Sequence, residues 1–214
     1  MKTALPYVLW IGGSTDAGKT SVAMALAKKR GWQEYHYDRY DRLELPGHWA
    51  RIDPTRHPRM HADLARSRDD GWVKTTPQEM VARWLLTAPE RFDFTIEDLR
   101  ALPSAPPIVA EGYGFLPELV LPLLSSTRQA IWLVSSEEFK RASYQRRAKG
   151  HFADTSDPER ARRNHIGRDL RLATYVRQQA LDLGLTVIDV DGTRSLEETV
   201  SQVDAHFAAY VAGD

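Results

Sequence analysis

The chain contains no cysteine. Disulfide bonds, thiolate nucleophiles and zinc–thiolate sites are therefore excluded. It also lacks an excess of charge of either sign, because 29 lysines and arginines balance 29 aspartates and glutamates. Proteins that bind nucleic acids in general usually carry a basic excess, so we do not expect a nucleic-acid partner.

Long apolar stretches are missing as well. No run of apolar residues approaches the roughly 20 that a membrane-spanning helix needs. Residues 1–6 lead directly into a predicted strand without a signal-peptide pattern. We therefore expect a cytoplasmic protein without membrane contact. Apolar residues make up 42% of the 214 residues, which is enough for one α/β domain spanning 1–214.

A glycine-rich segment near the N-terminus fits the phosphate-binding pattern of Gly, four residues, and Gly-Lys-Ser/Thr. An apolar strand precedes it, and an alanine-rich helix follows. The N–H groups of such a loop and the positive end of the helix point at one anion. Lys19 is predicted to reach the β- and γ-phosphates of ATP, and Thr20 to offer its hydroxyl to Mg²⁺. The predicted nucleotide-binding residues here are Gly13, Ser14, Thr15, Asp16, Ala17, Gly18, Lys19, Thr20 and Ser21.

Predicted strands and helices alternate along the chain, which favours a doubly wound parallel sheet with helices on both faces. The predicted strands lie near residues 7–12, 33–37, 107–112, 129–134 and 186–190. Ligands of such sheets bind beyond the carboxyl ends of the strands. The glycine-rich segment 13–20, called the phosphate loop below, follows a predicted strand, and so do several polar residues. We therefore expect them to share one crevice.

Residues 43–104 interrupt this alternation with scattered prolines and tryptophans. We interpret the segment as a helical, acceptor-binding insertion. Two of its helices are predicted to begin at capping boxes, with Thr76 and Thr95 as the N-cap residues. Its tryptophans are expected in the local core, although they could also line an acceptor pocket.

Two carboxylates are expected at the edge of the sheet beside the phosphate loop. Asp38 follows the second strand and could accept a proton from an acceptor hydroxyl. Glu111 ends the third strand, beside the expected metal, so Thr20, Asp38 and Glu111 are the predicted metal-site residues. The alternatives are that Asp38 starts a turn and that Glu111 caps backbone amides of the glycine-containing turn after it.

Arginines are concentrated after the fourth strand, on two helical segments that a polar loop separates. Charged helix faces are usually solvated surface. A basic flap at this place could instead close over the phosphates and exclude water. We therefore predict a lid at 146–168, with Arg147 and Arg168 as catalytic arginines and with Arg146 and Arg163 as further candidates.

Taken together, these motifs resemble the P-loop kinases of small molecules. That group includes uridine kinase-like, shikimate- and gluconate-kinase-like, and chloramphenicol phosphotransferase-like enzymes. The resemblance implies a five-stranded parallel sheet of order 2-3-1-4-5, Mg-ATP as donor, a closing lid and Asp38 as the base. It also implies that the loop after the fifth strand, with Asp191 and Thr193, borders the adenine. Residues 43–104 match no acceptor-binding signature of the group.

We expect an ATP-dependent kinase that acts on a hydroxyl or phosphate of a small molecule. A nucleoside, a sugar-like metabolite or a hydroxylated antibiotic would fit. Two alternatives stay open, namely a nucleotide-dependent regulatory ATPase or switch and a toxin that phosphorylates a nucleotide sugar. A GTPase is disfavoured, because the guanine-binding sequence Asn-Lys-x-Asp is absent and Asn164 is the only asparagine.

Overall fold

The sheet of this protein is parallel throughout. The structure is a computed structural model that describes residues 3–42, 47–146 and 152–211. Within these residues the sheet has five strands in the order β2-β3-β1-β4-β5, and each neighbouring pair is parallel. The predicted fold class and strand order are therefore confirmed. The strands are β1 (Val8–Gly13), β2 (Gln33–His36), β3 (Ile108–Glu111), β4 (Ala130–Ser135) and β5 (Thr186–Val190).

The central strands are built from continuous apolar runs. Strands β1, β3 and β4 are buried along their whole length, as expected for parallel strands that helices cover on both faces. Strands β2 and β5 form the edges and expose polar residues such as Glu34 and Asp189. Because the strands are parallel, all their carboxyl ends meet at one edge of the sheet.

The helices connect the strands and form layers on both faces of the sheet. Short 3-10 helices lie at His48–Arg51, Leu121–Leu123 and Thr127–Gln129. Over the described residues, none of the helices combines the length and apolar character that crossing a membrane requires. The α-helices are α1 (Lys19–Arg30), α2 (Tyr37–Arg42), α3 (Pro58–Leu64), α4 (Arg68–Trp72), α5 (Pro77–Ala101), α6 (Pro117–Val120), α7 (Glu137–Arg146), α8 (Pro158–Asp182) and α9 (Leu196–Val211).

Two apolar cores hold these layers together. On one face, α5 and α8 contribute Phe92 and Val176 to a core that also contains Trp10 and Trp132 of the sheet. On the other face, α1 and α9 pack together and bury Val22 and Phe207 against β1, β3, β4 and β5. The sheet therefore holds α1, and the loop before it, in a fixed position.

One long helix replaces the two that the sequence predicted in the insertion. The capping box at Thr76 is confirmed, with both of its reciprocal hydrogen bonds formed at the start of α5. The second start, at Thr95, is wrong, because α5 continues through Pro89 and Thr95 to Ala101. Phe92 and Ile96 are buried against the sheet. Burial of this apolar face stabilises a continuous helix, and it outweighs the helix-start pattern at Thr95.

The chain also turns earlier than predicted after β2. The strand ends at His36, and Tyr37 already begins α2. Tyr37 is fully buried, with its ring in edge contact with Tyr113 and Phe115. Asp38 consequently lies in the first turn of α2, where the helix dipole favours a carboxylate.

Candidate active site

Two glycines shape the loop between β1 and α1. Gly13 has a φ of 124°, and a Cβ atom there would lie only 1.9 Å from the Leu133 carbonyl oxygen. Gly18 has a φ of 78° and precedes α1, which begins at Lys19. Both conformations favour glycine. The first N–H groups of a helix have no partner within it, so this end of α1 offers free donors beside the loop.

The loop is attached to the end of β4. The Ser135 N–H donates to Ser14 Oγ at 2.8 Å, and the two hydroxyl oxygens lie 2.9 Å apart. The Ser14 N–H in turn donates to the Leu133 carbonyl oxygen at 3.0 Å. Ser14 and Ser135 are both buried. These bonds fix the loop on the sheet, so its N–H groups are oriented in advance.

A buried lysine of α7 ties the loop to α8. Lys140 Nζ lies 2.7 Å from Asp16 Oδ2 and 2.7 Å from Asp169 Oδ2, and it also donates to Thr15 Oγ1. The Thr15 hydroxyl donates to Asp169 Oδ2 at 2.7 Å. Burial by itself would raise the pKa of Asp169, but the positive charges of Arg168 and Lys140 hold it well below its usual range. Asp169 is therefore ionised, and the network joins α7 and α8 to the loop.

Glu111 lies at the centre of a polar chain beside Thr20. The Thr20 hydroxyl donates to Glu111 Oε1 at 3.0 Å, and His36 Nδ1 lies 3.1 Å from the same oxygen. His36 Nε2 lies 2.8 Å from Glu34 Oε2. Strand pairing explains the contact, since His36 of β2 stands opposite Glu111 of β3. The hydrogen bond to Glu111 raises the pKa of His36 against the effect of burial.

Lys19 is buried in its own loop, where Nζ donates to the Ser14 carbonyl oxygen at 2.6 Å. Burial lowers the pKa of its ammonium, while the carboxylates of Glu111 and Asp38 act in the opposite direction. An incompletely solvated ammonium interacts strongly with an anion that reaches it.

The structure brings most of the predicted site residues into one crevice at the carboxyl edge of the sheet. The crevice has a volume of about 140 Å³. Gly13, Ser14 and Ala17 belong to the same loop. The lining residues are Thr15, Asp16, Gly18, Lys19, Thr20, Ser21, Asp38, Glu111 and Tyr113.

The oxygen atoms of this crevice suit a hard cation. Mg²⁺ is usually bound through one or two carboxylates together with substrate phosphates and water. The Thr20 hydroxyl and the Glu111 carboxylate are within hydrogen-bond distance of each other, and Asp38 lines the same space. Among the described residues, no group of three or more histidine or acidic side chains is placed to hold a metal.

The other predicted residues lie elsewhere or are not described. Arg168 donates to Asp169 Oδ1 through Nε at 3.0 Å and does not line the crevice. Asp191 Oδ1 accepts from the Thr193 N–H at 2.9 Å and from its hydroxyl at 2.6 Å. These hydrogen bonds close a local turn. The placement of Asp191 and Thr193 beside the adenine stays a prediction. Arg147 lies outside the described residues.

The structure describes only part of the predicted lid. The described part consists of the last residue of α7, the segment before α8 and the first turns of α8. Arg146 is exposed, 6.0 Å from the centre of the Phe139 ring, and Arg163 pairs on the surface with Glu159 at 3.7 Å. The Trp72 ring, from the insertion, packs against the Phe152 ring, and the two ring centres lie 5.4 Å apart. This region therefore packs against the insertion.

A larger cavity lies beside the crevice, where the sequence allowed an acceptor pocket lined by the tryptophans of the insertion as the alternative to a local core. Its volume is about 350 Å³, and Tyr113 lines both spaces. The tryptophans of the insertion, expected mainly in the core, stand in its wall. The lining residues are Trp49, Asp63, Leu64, Arg66, Ser67, Arg68, Gly71, Trp72, Met80, Arg83, Trp84, Thr87, Arg91, Tyr113 and Arg168.

No protein-family model matches this chain, and no curated protein matches it in sequence. Among solved structures it is similar to a gluconokinase from Sinorhizobium meliloti, with 14% identity, a TM-score of 0.48, and coverage of 98% of this chain and 96% of the other. It is also similar to a shikimate kinase from Acinetobacter baumannii in complex with shikimate, with 13% identity, a TM-score of 0.44, and coverage of 97% and 94%. A deoxyadenosine kinase from M. mycoides with bound dATP has 11% identity, a TM-score of 0.48, and coverage of 92% and 96%. All three are named as kinases, but at these values the likenesses are too distant to carry a function to this chain.

Proposed function

We propose that this protein is an Mg-ATP-dependent phosphotransferase that transfers the γ-phosphoryl group to a hydroxyl or phosphate of a small molecule. One observation carries the proposal. The ammonium of Lys19, the start of α1, the hydroxyl of Thr20 and the carboxylates of Asp38 and Glu111 face one small crevice. Phosphoryl transfer needs this combination of phosphate binding, charge neutralisation and an orienting base.

The loop residues take the role of holding the nucleotide phosphates. The N–H groups at the start of α1 and the ammonium of Lys19 bind the phosphate oxygens and stabilise charge that develops during transfer. Thr20, and Glu111 directly or through water, would hold Mg²⁺. The metal supplies neutralisation of charge on the phosphates, and the protein residues fix its position.

Asp38 is proposed as the base for a hydroxyl acceptor. Its carboxylate takes the proton from the acceptor oxygen as that oxygen forms a bond to the γ-phosphorus. The bond from the γ-phosphorus to the bridging oxygen of ATP breaks, and ADP leaves with that oxygen. Asp38 is exposed in the crevice, so an acceptor can reach it.

The adjacent cavity supports a kinase over a regulatory ATPase. A switch needs no second small-molecule site, whereas a kinase must hold an acceptor beside the transferred phosphoryl group. Tyr113 lines both the crevice and a cavity of about 350 Å³, a volume in the range of small-molecule sites. The insertion that contributes most of that wall is therefore proposed to bind the acceptor.

Paired lysine variants test the nucleotide site. Lys19→Ala removes a buried cation of the crevice, and Lys28→Ala removes an exposed one from the same helix. We expect Lys19→Ala to lower acceptor-dependent ADP release by at least about 100-fold and Lys28→Ala to leave it unchanged. ADP release by Lys19→Ala at the wild-type rate would refute the proposed donor site.

A further inference from the structure

The larger cavity is lined by an unusual concentration of positive charge. Five arginines stand in its wall, from α4, α5, α8 and the segment before α4, against one carboxylate, Asp63. Other carboxylates that pair with these arginines, Asp41, Asp154 and Asp169, lie outside the lining. The arginines are Arg66, Arg68, Arg83, Arg91 and Arg168.

These positive charges are only partly balanced. Arg83 Nε lies 3.0 Å from Asp63 Oδ1, and Arg91 shares the same carboxyl group at 3.6 Å. Arg66 contacts the Asp70 carbonyl oxygen at 3.4 Å and Thr75 Oγ1 at 3.5 Å. In the part of the chain that the structure describes, no carboxylate forms an ion pair with it. The cavity therefore has room for a further negative charge.

The charges of two neighbouring arginines act on Arg83. Burial lowers the pKa of its guanidinium, and the positive charges of Arg66 and Arg168 lower it further against the effect of Asp63. Neighbouring like charges repel one another. An anion bound between them would relieve that repulsion.

Flat aromatic faces alternate with these charges. The Arg91 guanidinium lies 4.9 Å from the Trp49 ring centre and 5.0 Å from that of Trp84. The Trp84 ring stacks on Tyr113, with ring centres 4.8 Å apart and planes at 25°. Arg91 and Tyr113 cover the Trp84 ring, so a ring of the ligand would pack on the partly exposed rings of Trp49 and Trp72 in the same wall, while its charged group reaches an arginine. Tyr113 also borders the crevice with Lys19 and Asp38.

We propose that the phosphoryl acceptor is an anionic ring compound, with a phosphate or carboxylate group held by Arg66 and Arg83 and a flat ring held against the aromatic wall. This inference rests on the proposed function, because the acceptor must lie beside the phosphate loop. Arginine binds either anion through two parallel N–H bonds. The pairing of charge and ring selects against neutral sugars and against small anions without a ring.

Matched pairs of compounds test the inference in the full-length protein. One pair is a nucleoside and its 5′-monophosphate, and the other is a hydroxybenzyl alcohol and the corresponding hydroxybenzoate. Calorimetric binding without ATP measures recognition alone, and ADP release with Mg-ATP measures turnover. We expect the anionic member of at least one pair to bind at least about tenfold more tightly than its neutral partner. The pair that responds distinguishes phosphate from carboxylate.

Arginine variants locate the binding. Arg66→Gln and Arg83→Gln are each expected to weaken binding of the anionic probe by about tenfold or more. Arg100→Gln, at the exposed far end of the helix that carries Arg83, should bind it normally. If loss of the Arg83–Asp63 ion pair unfolds the Arg83→Gln variant, Arg66→Gln alone tests whether the cavity binds the anionic probe, because Arg66 forms no ion pair among the described residues.

The inference and the proposed function fail in different ways. Equal binding of neutral and anionic partners, absence of binding by every anionic probe, or wild-type binding in Arg66→Gln would overturn the inference. Turnover of neutral acceptors alone would overturn it while leaving the kinase intact. Arginine-dependent binding of an anionic probe without any ATP turnover would instead count against the proposed function.

Discussion

The Thr20 hydroxyl donates a hydrogen bond to Glu111 Oε1 at 3.0 Å, although 91 positions separate the two residues. The parallel sheet brings them together, because β1 and β3 are neighbours and Ile11 pairs with Glu111. Thr20 follows β1 through the phosphate loop, so both side chains reach the carboxyl edge of the sheet. We expect this pair to form the metal side of the active site.

Replacing Glu111 tests that expectation. Glu111→Gln keeps an oxygen that accepts from Thr20 but removes the negative charge. We expect the Mg²⁺ concentration for half-maximal ADP release to rise about 10- to 100-fold, the cost typical of altering groups around a metal. A titration of Mg²⁺ at fixed ATP measures it, with Glu138→Gln on the exposed face of α7 as the control. An unchanged titration would exclude Glu111 from the metal site.

Asp38→Asn separates catalysis from nucleotide binding. The variant keeps the size of the side chain but cannot accept the acceptor proton, so we expect transfer to fall about 10²- to 10⁴-fold. ATP binding, measured by calorimetry, should stay close to that of the wild type. Asp182→Asn, on the surface at the end of α8, serves as the control. If the variant transferred the phosphoryl group at the wild-type rate but had a lower free energy of unfolding, Asp38 would stabilise the first turn of α2 and would not be the base.

The sequence predicted the elements whose signals are local. The phosphate loop, Asp38 and Glu111 could be placed because a short motif and the ends of apolar strands locate them, and parallel strands share one edge. The start at Thr95 was wrong, because burial of Phe92 and Ile96 depends on the tertiary packing of α5. The local pattern at Thr95 alone does not distinguish a helix start from a polar position within a longer helix.

Other site residues could not be found from the sequence for a related reason. Lys140 lies in a run of basic residues that resembles a solvated surface, and only its packing against the loop shows that it is buried. The cavity joins Arg66 and Trp72 to Arg168 across about a hundred positions of the chain. Such convergence depends on how α4, α5 and α8 pack.

The buried network around Lys140 predicts a large loss of stability on removal of its cation. Lys140→Met leaves the carboxylates of Asp16 and Asp169 buried without this partner. We expect the free energy of unfolding to fall by about 3–5 kcal/mol, measured by urea denaturation. Arg141→Met removes an exposed cation from the same helix and should change it by less than about 1 kcal/mol.

A second substitution tests whether the buried carboxylate charge causes the loss of stability. Adding Asp169→Asn to Lys140→Met removes a buried carboxylate charge that only Arg168 still balances, so it should recover part of the lost stability. If the single Lys140→Met variant were as stable as the wild type, the network would contribute nothing to the free energy of unfolding.

Stability is also expected to depend on pH through His48. Burial lowers the pKa of His48, but the carboxylates of Asp41 and Asp98 outweigh burial and raise it above its ordinary value. The folded protein therefore binds this proton more tightly than the unfolded chain does. Its contribution is complete below about pH 6.5 and is lost as the pH rises through the folded pKa.

Denaturation at several pH values measures this dependence. Between pH 6 and pH 9 we expect the wild type to lose stability, and His48→Gln to show a flatter profile. The Nε2 atom of His48 lies 2.6 Å from Asp98 Oδ2, which is the contact that deprotonation weakens. Parallel profiles for the two proteins would show that His48 does not bind this proton more tightly in the folded state.

Phosphoryl transfer to a small molecule is tested by looking for its product. The purified protein is incubated with Mg-ATP and a panel of nucleosides, nucleoside monophosphates, sugars, hydroxybenzoates and hydroxylated antibiotics, and the mixtures are analysed by mass spectrometry. We expect an acceptor that becomes one phosphoryl group heavier as ADP forms, with the wild type and not with Lys19→Ala. Release of only ADP and free phosphate, at the same slow rate with every acceptor, would contradict it.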